Sequence, residues 1–344
     1  MAPATADPLL SVVIAHHVGR RFINRCLASL ASTEGVTFET LVVTSDPTYY
    51  VPEPMEHYVK AIYVEGGPAH KRNVGVQQTR GEVIVFLDDD ILDMSPYTLY
   101  NLWRAFKERP NAGMVYARIY NAERRQELDS AGSWLTPSGF LYARESNPSL
   151  SYDEITTPVR CLAAKSAGCA VRRDVFHEVG GFDATYGILA EESELSWRVW
   201  LRGYEVWWWP DAVMWHAFNT SFKPVADYYT KARIFRNGAR NYVAMLLTSL
   251  GIARLVWVLP LHLTGWLVAA VGFLCQGRWT NAKYIIIGLL DNLHGLTYTL
   301  RKRRQVQQSR VRTDRELMPL ISQQPPATYY LQRLQRYWVN QVHG

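Results

Sequence analysis

Residues 82–87, EVIVFL, run without a break into three aspartates, Asp88-Asp89-Asp90. A short apolar, β-branched run of this kind reads as a strand buried on both faces. Adjacent carboxylates repel one another and are depleted within strands, so the strand ends where the aspartates begin. Similar runs occur at residues 10–15, 38–43, 59–64 and 113–118. Between them lie helical patterns: Phe22, Ile23, Cys26, Leu27 and Leu30 at helical spacing, a segment opened by Pro68 and reaching about Thr79, and another after Pro96. Pro suits the first turn of a helix. Strands alternating with helices predict an α/β layer fold with a mostly parallel sheet. In such sheets ligands bind at the carboxyl ends of strands, which is where the aspartates fall.

Residues 120–165 read as loops and short strands. A helix is expected at 172–179, stopped by Gly180-Gly181, and another at 191–202, with acidic residues at its start and Gly203 after its end. Residues 205–209 and 212–215 read as two short strands around Pro210. The character then changes. Residues 228–250 have helical periodicity with Lys231, Arg233, Arg236 and Arg240. Residues 255–275 carry no formal charge, though Pro260, His262 and Gly265 interrupt them, and 285–300 form a further apolar stretch followed by Arg301-Lys302-Arg303-Arg304. Gln323–Pro326 looks like a linker, and Tyr330, Leu331, Leu334, Tyr337, Trp338 and Val342 fall on one helical face. The expected organisation is a catalytic domain over 1–225 and a basic, apolar helical region over 226–344.

Charge follows the same division. Residues 1–230 carry 21 Lys and Arg against 28 Asp and Glu; residues 231–344 carry 16 against 3. An acidic body with a basic tail separates two functions. A basic tail attracts nucleic acid or anionic lipid. Here the basic clusters flank apolar runs and accompany no recognition motif, so a lipid surface is favoured and nucleic acid is not expected. The four cysteines are scattered with no CxxC pair, which fits a reducing compartment and argues against a structural zinc site. The first eight residues have neither a basic nor an apolar segment of a secretory signal.

Three constellations carry chemistry. Asp88-Asp89-Asp90 at a strand end makes a hard oxygen site suited to Mg2+ or Mn2+, or a solvated acidic turn. Glu191 and Glu192 open a helix, where the dipole favours carboxylates; one held ionised there can act as general base toward a hydroxyl. Glu194 and Arg198 are four apart and suit a helix-face ion pair. His216 follows an apolar strand; it is either a structural histidine or the imidazole of a mixed metal site with Asp90.

In order along the chain, these pieces resemble glycosyltransferase family 2, of the bacterial polysaccharide and rhamnosyltransferase-like type. Ser11-Val12-Val13-Ile14 with the Arg25–Leu30 helix resembles the family's opening strand and helix. Lys71-Arg72-Asn73-Val74-Gly75 resembles its Arg-Asn-x-Gly segment, and Gly81 through Asp90 its DxD-bearing strand. Gly180-Gly181-Phe182-Asp183, Glu191-Glu192 with Trp197-Arg198, and Pro210-Asp211-Ala212-Val213 with His216 resemble its acceptor-side block. The resemblance covers roughly residues 10–220. It implies a GT-A fold and an inverting, metal-dependent hexosyl- or deoxyhexosyltransferase. Asp88, Asp89 and Arg72 would contact the donor, Asp90 and His216 the Mn2+ or Mg2+, and Glu192 would be the catalytic base. Gly181, Asp183, Glu191 and Trp197 would lie on the acceptor side. Two departures concern the nucleobase pocket. Ala15-His16-His17-Val18 replaces the family's Pro-Thr-Tyr-Asn, and Thr44, with Asp46 two residues on, replaces its base-reading Asp. The donor is therefore open among UDP-, dTDP- and GDP-sugars, with Ala15, Thr44 and Asp46 expected to line the base.

Residues 255–275 are just long enough to span a bilayer. They can span, lie in the interface as amphipathic helices, or pack on the catalytic domain or a second copy. Basic residues on both sides oppose a single pass, so peripheral attachment at the cytoplasmic face of the cell membrane is the favoured expectation, with a glycan or polyprenyl-linked acceptor. A homo-oligomer is compatible with the sequence. A nucleotidyltransferase, or a nucleotide- or glycan-binding scaffold without turnover, are the rival functions.

Overall fold

The computed structural model describes residues 8–19, 21–53, 55–143, 155–217 and 231–325. The expected helical face at 330–342 lies outside them. The chain begins β1 (Leu10–His16), α1 (Arg21–Leu30), β2 (Phe38–Thr44), β3 (Val59–Tyr63), α2 (Pro68–Gln77) and β4 (Val83–Asp88). Next come β5 (Ile91–Met94), α3 (Thr98–Glu108), β6 (Ala112–Asn121), β7 (Leu128–Ser130), β8 (Ser133–Leu135), β9 (Leu141–Ala143) and β10 (Val159–Arg160). β11 (Gly168–Arg172), α4 (Arg173–Glu178), α5 (Glu191–Leu201) and β12 (Glu205–His216) follow. The remaining elements are helices: α6 (Lys231–Ser249), α7 (Ile252–Cys275), α8 (Trp279–His294), α9 (Leu296–Gln308) and α10 (Met318–Ile321).

The main sheet runs β10-β12-β6-β11-β4-β1-β2-β3, with β5 on β12 and β7 on β6. Pairings β3–β2–β1–β4 are parallel, as expected, while β11 inserts antiparallel between β4 and β6. β11 is an addition to the sequence reading. Its five residues, GCAVR, are too short and too rich in small side chains to carry a period. β12 is one strand rather than two; Pro210 sits where its register against β6 shifts, which spares the ladder a missing donor. The mixed sheet flanked by helices is the GT-A fold. One core cluster fills one side of the sheet with Val13, Val43, Phe86, Tyr116, Phe182 and Trp197; the other side holds Ile14, Leu27, Val85, Leu102 and Trp209.

Two glycines set how closely the elements around β1 pack. A Cβ on Gly75 would stand 2.4 Å from Val13 Cγ1, so only glycine lets α2 lie this near β1. A Cβ on Gly81 would stand 2.5 Å from the backbone of Leu10 and Ser11.

The compositional change after residue 225 is not a break in packing. Met245, Leu246, Leu250, Leu255, Val258, Val306 and Ile321 belong to the same core cluster as Phe86 and Trp197. α7 continues through Pro260, and the stretch expected as one helix over 285–300 divides at Gly295 into α8 and α9.

Candidate functional site

The site forms at the carboxyl ends of β1 and β4. Their parallel register sets Ala15 beside Asp88. β4 stops at Asp88, and β5 begins at Ile91 and pairs with β12 so that His216 faces Ile91. That pairing brings a histidine from 126 residues away against the aspartates. His216 Nε2 lies 3.0 Å from Asp90 Oδ1 and 4.0 Å from Asp88 Oδ2. One ligand atom from each of Asp88, Asp90 and His216 falls within 4.8 Å of the others. Two carboxylates and an imidazole suit a divalent cation such as Mn2+ or Mg2+. Asp129 completes the arrangement, with Oδ2 2.8 Å from His216 Nδ1 and held in turn by Lys165 Nζ at 2.6 Å. A carboxylate on the far nitrogen fixes ring orientation and leaves Nε2 aimed at the cluster. Burial opposes charging of the imidazole, but Asp90 and Asp129 outweigh it and raise its pKa to about 9.

Arg72 joins this cluster to the glutamate pair. It is buried on α2, donating from Nη2 to Asp88 Oδ1 at 2.7 Å and from Nη1 to Glu191 Oε1 at 3.3 Å. Arg72 Nε and Glu191 Oε2 are buried with no hydrogen-bond partner among the described residues. Glu192 stands next in sequence. Burial, reinforced by the charge of Glu191, pushes its carboxyl well above the usual range, with Arg72 opposing.

The residues expected to line the nucleobase form a linked turn. His16 Nδ1 is 2.8 Å from Thr44 Oγ1, and its Nε2 is 2.6 Å from Gly19 O. The backbone N–H of Asp46 donates to Thr44 Oγ1 at 2.9 Å, while the Asp46 carboxylate accepts from Thr48 N and Oγ1 at 2.9 and 2.7 Å. Those bonds hold its carboxyl below the usual range. Asp89 accepts weakly from His17 N at 3.4 Å. Lys71 Nζ donates to His16 O at 2.5 Å, so α2 braces the loop after β1 with one side chain and β4 with the next.

The residues expected on the acceptor side divide. Asn73 clamps the glycine turn: its Nδ2 donates to Phe182 O at 2.8 Å and its Oδ1 accepts from Phe182 N at 2.9 Å. Gly181 has φ +67° and its carbonyl accepts from Arg198 Nη2 at 2.7 Å. Asp183 caps the turn at Thr185 and pairs with Lys302. Trp197 is a correction: it is wholly buried, 0% exposed, within the core cluster. Its helix turns it toward the sheet, so it supports α5 from behind and presents no surface to an acceptor. The expected ion pair between Glu194 and Arg198 forms, but inside the protein rather than on a solvated helix face. Glu194 is fully buried, held by Arg198 at 2.7 Å and by Lys302 Nζ at 2.9 Å.

The sequence singles out neither Asp129 nor Asn241; it shows Asn73 only as part of the Lys71–Gly75 segment and Lys302 only as part of a basic cluster. Asn241 Nδ2 reaches the carbonyls of Tyr186, Ile188 and Leu189 at 2.9, 3.0 and 2.7 Å, and Arg240 Nη2 those of Thr185 and Tyr186. Leu189 and Ala190 have φ of 77° and 66°, a left-handed backbone disfavoured for side chains with a Cβ. This strained pair immediately precedes Glu191. Lys302 carried a signal, its basic cluster, but one that pointed to a surface.

The family model for Glycosyl transferase family 2 matches residues 11–180. The O-antigen biosynthesis protein RfbC of Myxococcus xanthus is 26% identical over 255 residues, 68% of this chain and 20% of that protein. The chain spans little more than half the length, or less, of the curated relatives it matches. Among solved structures, Staphylococcus aureus TarS 1–349 in complex with UDP-GlcNAc superposes with TM-score 0.53 at 20% identity, over 87% of this chain and 90% of that one. The mannosyltransferase PcManGT of Pyrobaculum calidifontis in complex with GDP-Man and Mn2+ gives 0.51 at 18% identity, over 84% and 88%. With the matched segment covering β1 to α4 and its motifs in order on a GT-A sheet, this chain belongs to glycosyltransferase family 2.

Proposed function

We propose that this protein is a metal-dependent inverting glycosyltransferase that moves a hexosyl or deoxyhexosyl group from a UDP-, dTDP- or GDP-sugar to a hydroxyl of a glycan or polyprenyl-linked acceptor in cell-surface polysaccharide assembly. The observation that carries it is the Arg72 bridge, which ties the Asp88–Asp90–His216 cluster to the Glu191–Glu192 pair. One end of that bridge suits a diphosphate and the other a reacting hydroxyl. The relatives and solved structures named above support the donor class and the polysaccharide setting.

Asp88, Asp90 and His216 would hold Mn2+ or Mg2+, which supplies positive charge to neutralise the departing diphosphate. Glu192 accepts the proton of the acceptor hydroxyl as the oxygen bonds to the anomeric carbon. The bond from that carbon to the diphosphate oxygen breaks with its electron pair leaving on the nucleoside diphosphate, and the anomeric configuration inverts. Burial and Glu191 favour the protonated form of Glu192, against the ionised carboxylate expected at a helix start, so it acts as base once ionised, the form that Arg72 favours. Arg72 stabilises charge developing on the leaving side.

The test is a panel of nucleotide sugars with Mn2+ and lipid-linked or glycan acceptors, read by nucleoside diphosphate release and by the anomeric coupling of the product. One donor giving an inverted product supports the proposal; release of pyrophosphate, or a retained anomer, sinks it.

A further inference from the structure

We propose that the outward faces of α7 and α8 are a docking surface for an anionic lipid bilayer, with α7 lying in the membrane plane rather than crossing it. α7 presents Ile252, Trp257, Leu261, Val268 and Val271 to solvent at helical spacing, and Trp257 is 75% exposed. α8 continues the surface with Trp279, at 70%, Ile286, Leu290 and Leu293. Apolar patches of this extent on a protein surface mark an interaction site.

The opposite face of α7 decides its orientation. Leu255, Val258, His262, Trp266, Ala270 and Phe273 are buried, from the first turn to the last. His262 Nδ1 is 3.1 Å from Ser138 O, and Trp266 Nε1 donates to His262 Nε2 at 3.0 Å. α8 is fixed as firmly: a Cβ on Gly288 would stand 2.3 Å from Arg236 O of α6. A helix bound to protein along one whole side cannot cross a bilayer without taking that protein with it. The same helix can sink its free side into the headgroup and acyl boundary, with Trp at that depth.

Charge selects the partner. Residues 252–308 contain seven Lys and Arg, of which Lys302 is turned inward to Asp183 and Glu194, and one acid, Asp291. Asp291 is already engaged by Arg236 at 2.6 Å. Lys283 is exposed on the same stripe as Trp279 and Ile286, and Arg301 and Arg304 are exposed on α9. An anionic lipid surface complements this excess. A symmetric pairing of two copies would set the same cations against one another.

The full chain is sedimented with vesicles of phosphatidylcholine alone and of phosphatidylcholine with roughly one-third phosphatidylglycerol. Binding to the anionic vesicles is expected, and the double variant Leu261→Glu/Val268→Glu should weaken it by about tenfold or more while far-UV circular dichroism and melting are unchanged. Equal binding by wild type and variant overturns the proposal. So does a vesicle-free dimer that the variant converts to monomer, since a second copy then covers the face. For orientation, nitroxide labels on Ala253→Cys, Thr264→Cys and native Cys275, which is exposed while Cys26, Cys161 and Cys169 are buried, should report one shared shallow depth. A depth greatest at position 264 and shallow at both ends means that α7 crosses. None of these readings depends on catalysis.

Discussion

Asn241 of α6 donates from Nδ2 to the backbone carbonyl of Leu189 at 2.7 Å, gripping the chain three residues before Glu192. The grip lies on a segment whose left-handed Leu189 and Ala190 would relax if released. The C-terminal helices are thus a support for the glutamate pair. Replacing Asn241 by Ala is expected to lower kcat by about 10- to 100-fold, since small misplacements of a reacting group are costly. KM for the donor should move less than kcat, because Arg72 keeps its 2.7 Å bond to Asp88 when its contact with Glu191 shifts. A proportionate loss of both parameters, tracking a loss of folded protein, would mean that Asn241 serves stability alone.

Lys302 of α9 reaches Asp183 and Glu194, two carboxylates buried beneath the same loop. Lys302→Met leaves them with Arg198 as the one strong partner of Glu194 and none of comparable strength at Asp183. Destabilisation of roughly 3–5 kcal/mol is expected from breaking a buried charge network, seen as a lowered melting temperature.

The same network sets acid stability. Burial alone would raise the Glu194 and Asp183 carboxyl pKa values, but Arg198 and Lys302 at Glu194, and Lys302 at Asp183, hold them below their ordinary values. Groups depressed in the folded state contribute stability above the unfolded pKa, near ~4, and lose it as pH falls through the folded value. Wild-type melting should therefore be flat down to that range and fall below it. In Lys302→Met the fall should begin at higher pH; coincident profiles would contradict the assignment.

Glu192→Gln is expected to reduce kcat by about 10²- to 10⁴-fold while nucleoside diphosphate binding persists. Because burial and Glu191 raise the Glu192 carboxyl pKa, the acid limb of the wild-type kcat profile should lie above the ordinary glutamate range. Full activity in the variant, or an acid limb at the solvent value, would remove Glu192 from its role.

What the sequence made legible follows what its residues do locally. β1 and β4 announce themselves because parallel strands buried on both faces read as continuous apolar runs. Asp88 and Asp90 stand out because they break such a run. His216 was a candidate on its own, but its place beside Asp90 depends on the β5–β12 pairing, and β5 is a four-residue strand with no period to detect. Asp129 orients His216 from a stretch whose polar sequence gives no hint of a partner. Trp197 matched a motif and proved to be core, since α5 is buried on nearly every side and an aromatic there packs inward. Lys302 shows the opposite error: a run of four basic residues suggests a solvated or lipid-facing surface, yet one of the four is turned inward by two carboxylates more than a hundred residues away.

Gly75→Ala tests whether close packing of α2 matters to the donor side. The added Cβ meets Val13 at 2.4 Å, which should cost about 1–3 kcal/mol as overpacking. The displacement falls on the helix that carries Lys71 and Arg72, so donor affinity should drop more than the modest stability loss accounts for. An unchanged donor affinity would show that α2 tolerates the shift.

Asp88, Asp90 and His216 are expected to bind a divalent cation together with the donor diphosphate. The direct measurement is calorimetric titration of UDP, dTDP and GDP into wild type, Asp90→Asn and His216→Ala, with and without Mn2+. The account predicts that one diphosphate binds wild type in a Mn2+-dependent manner and that each variant loses that dependence, with affinity lower by about tenfold or more. Binding of equal strength with and without Mn2+, unaltered in both variants, would contradict it.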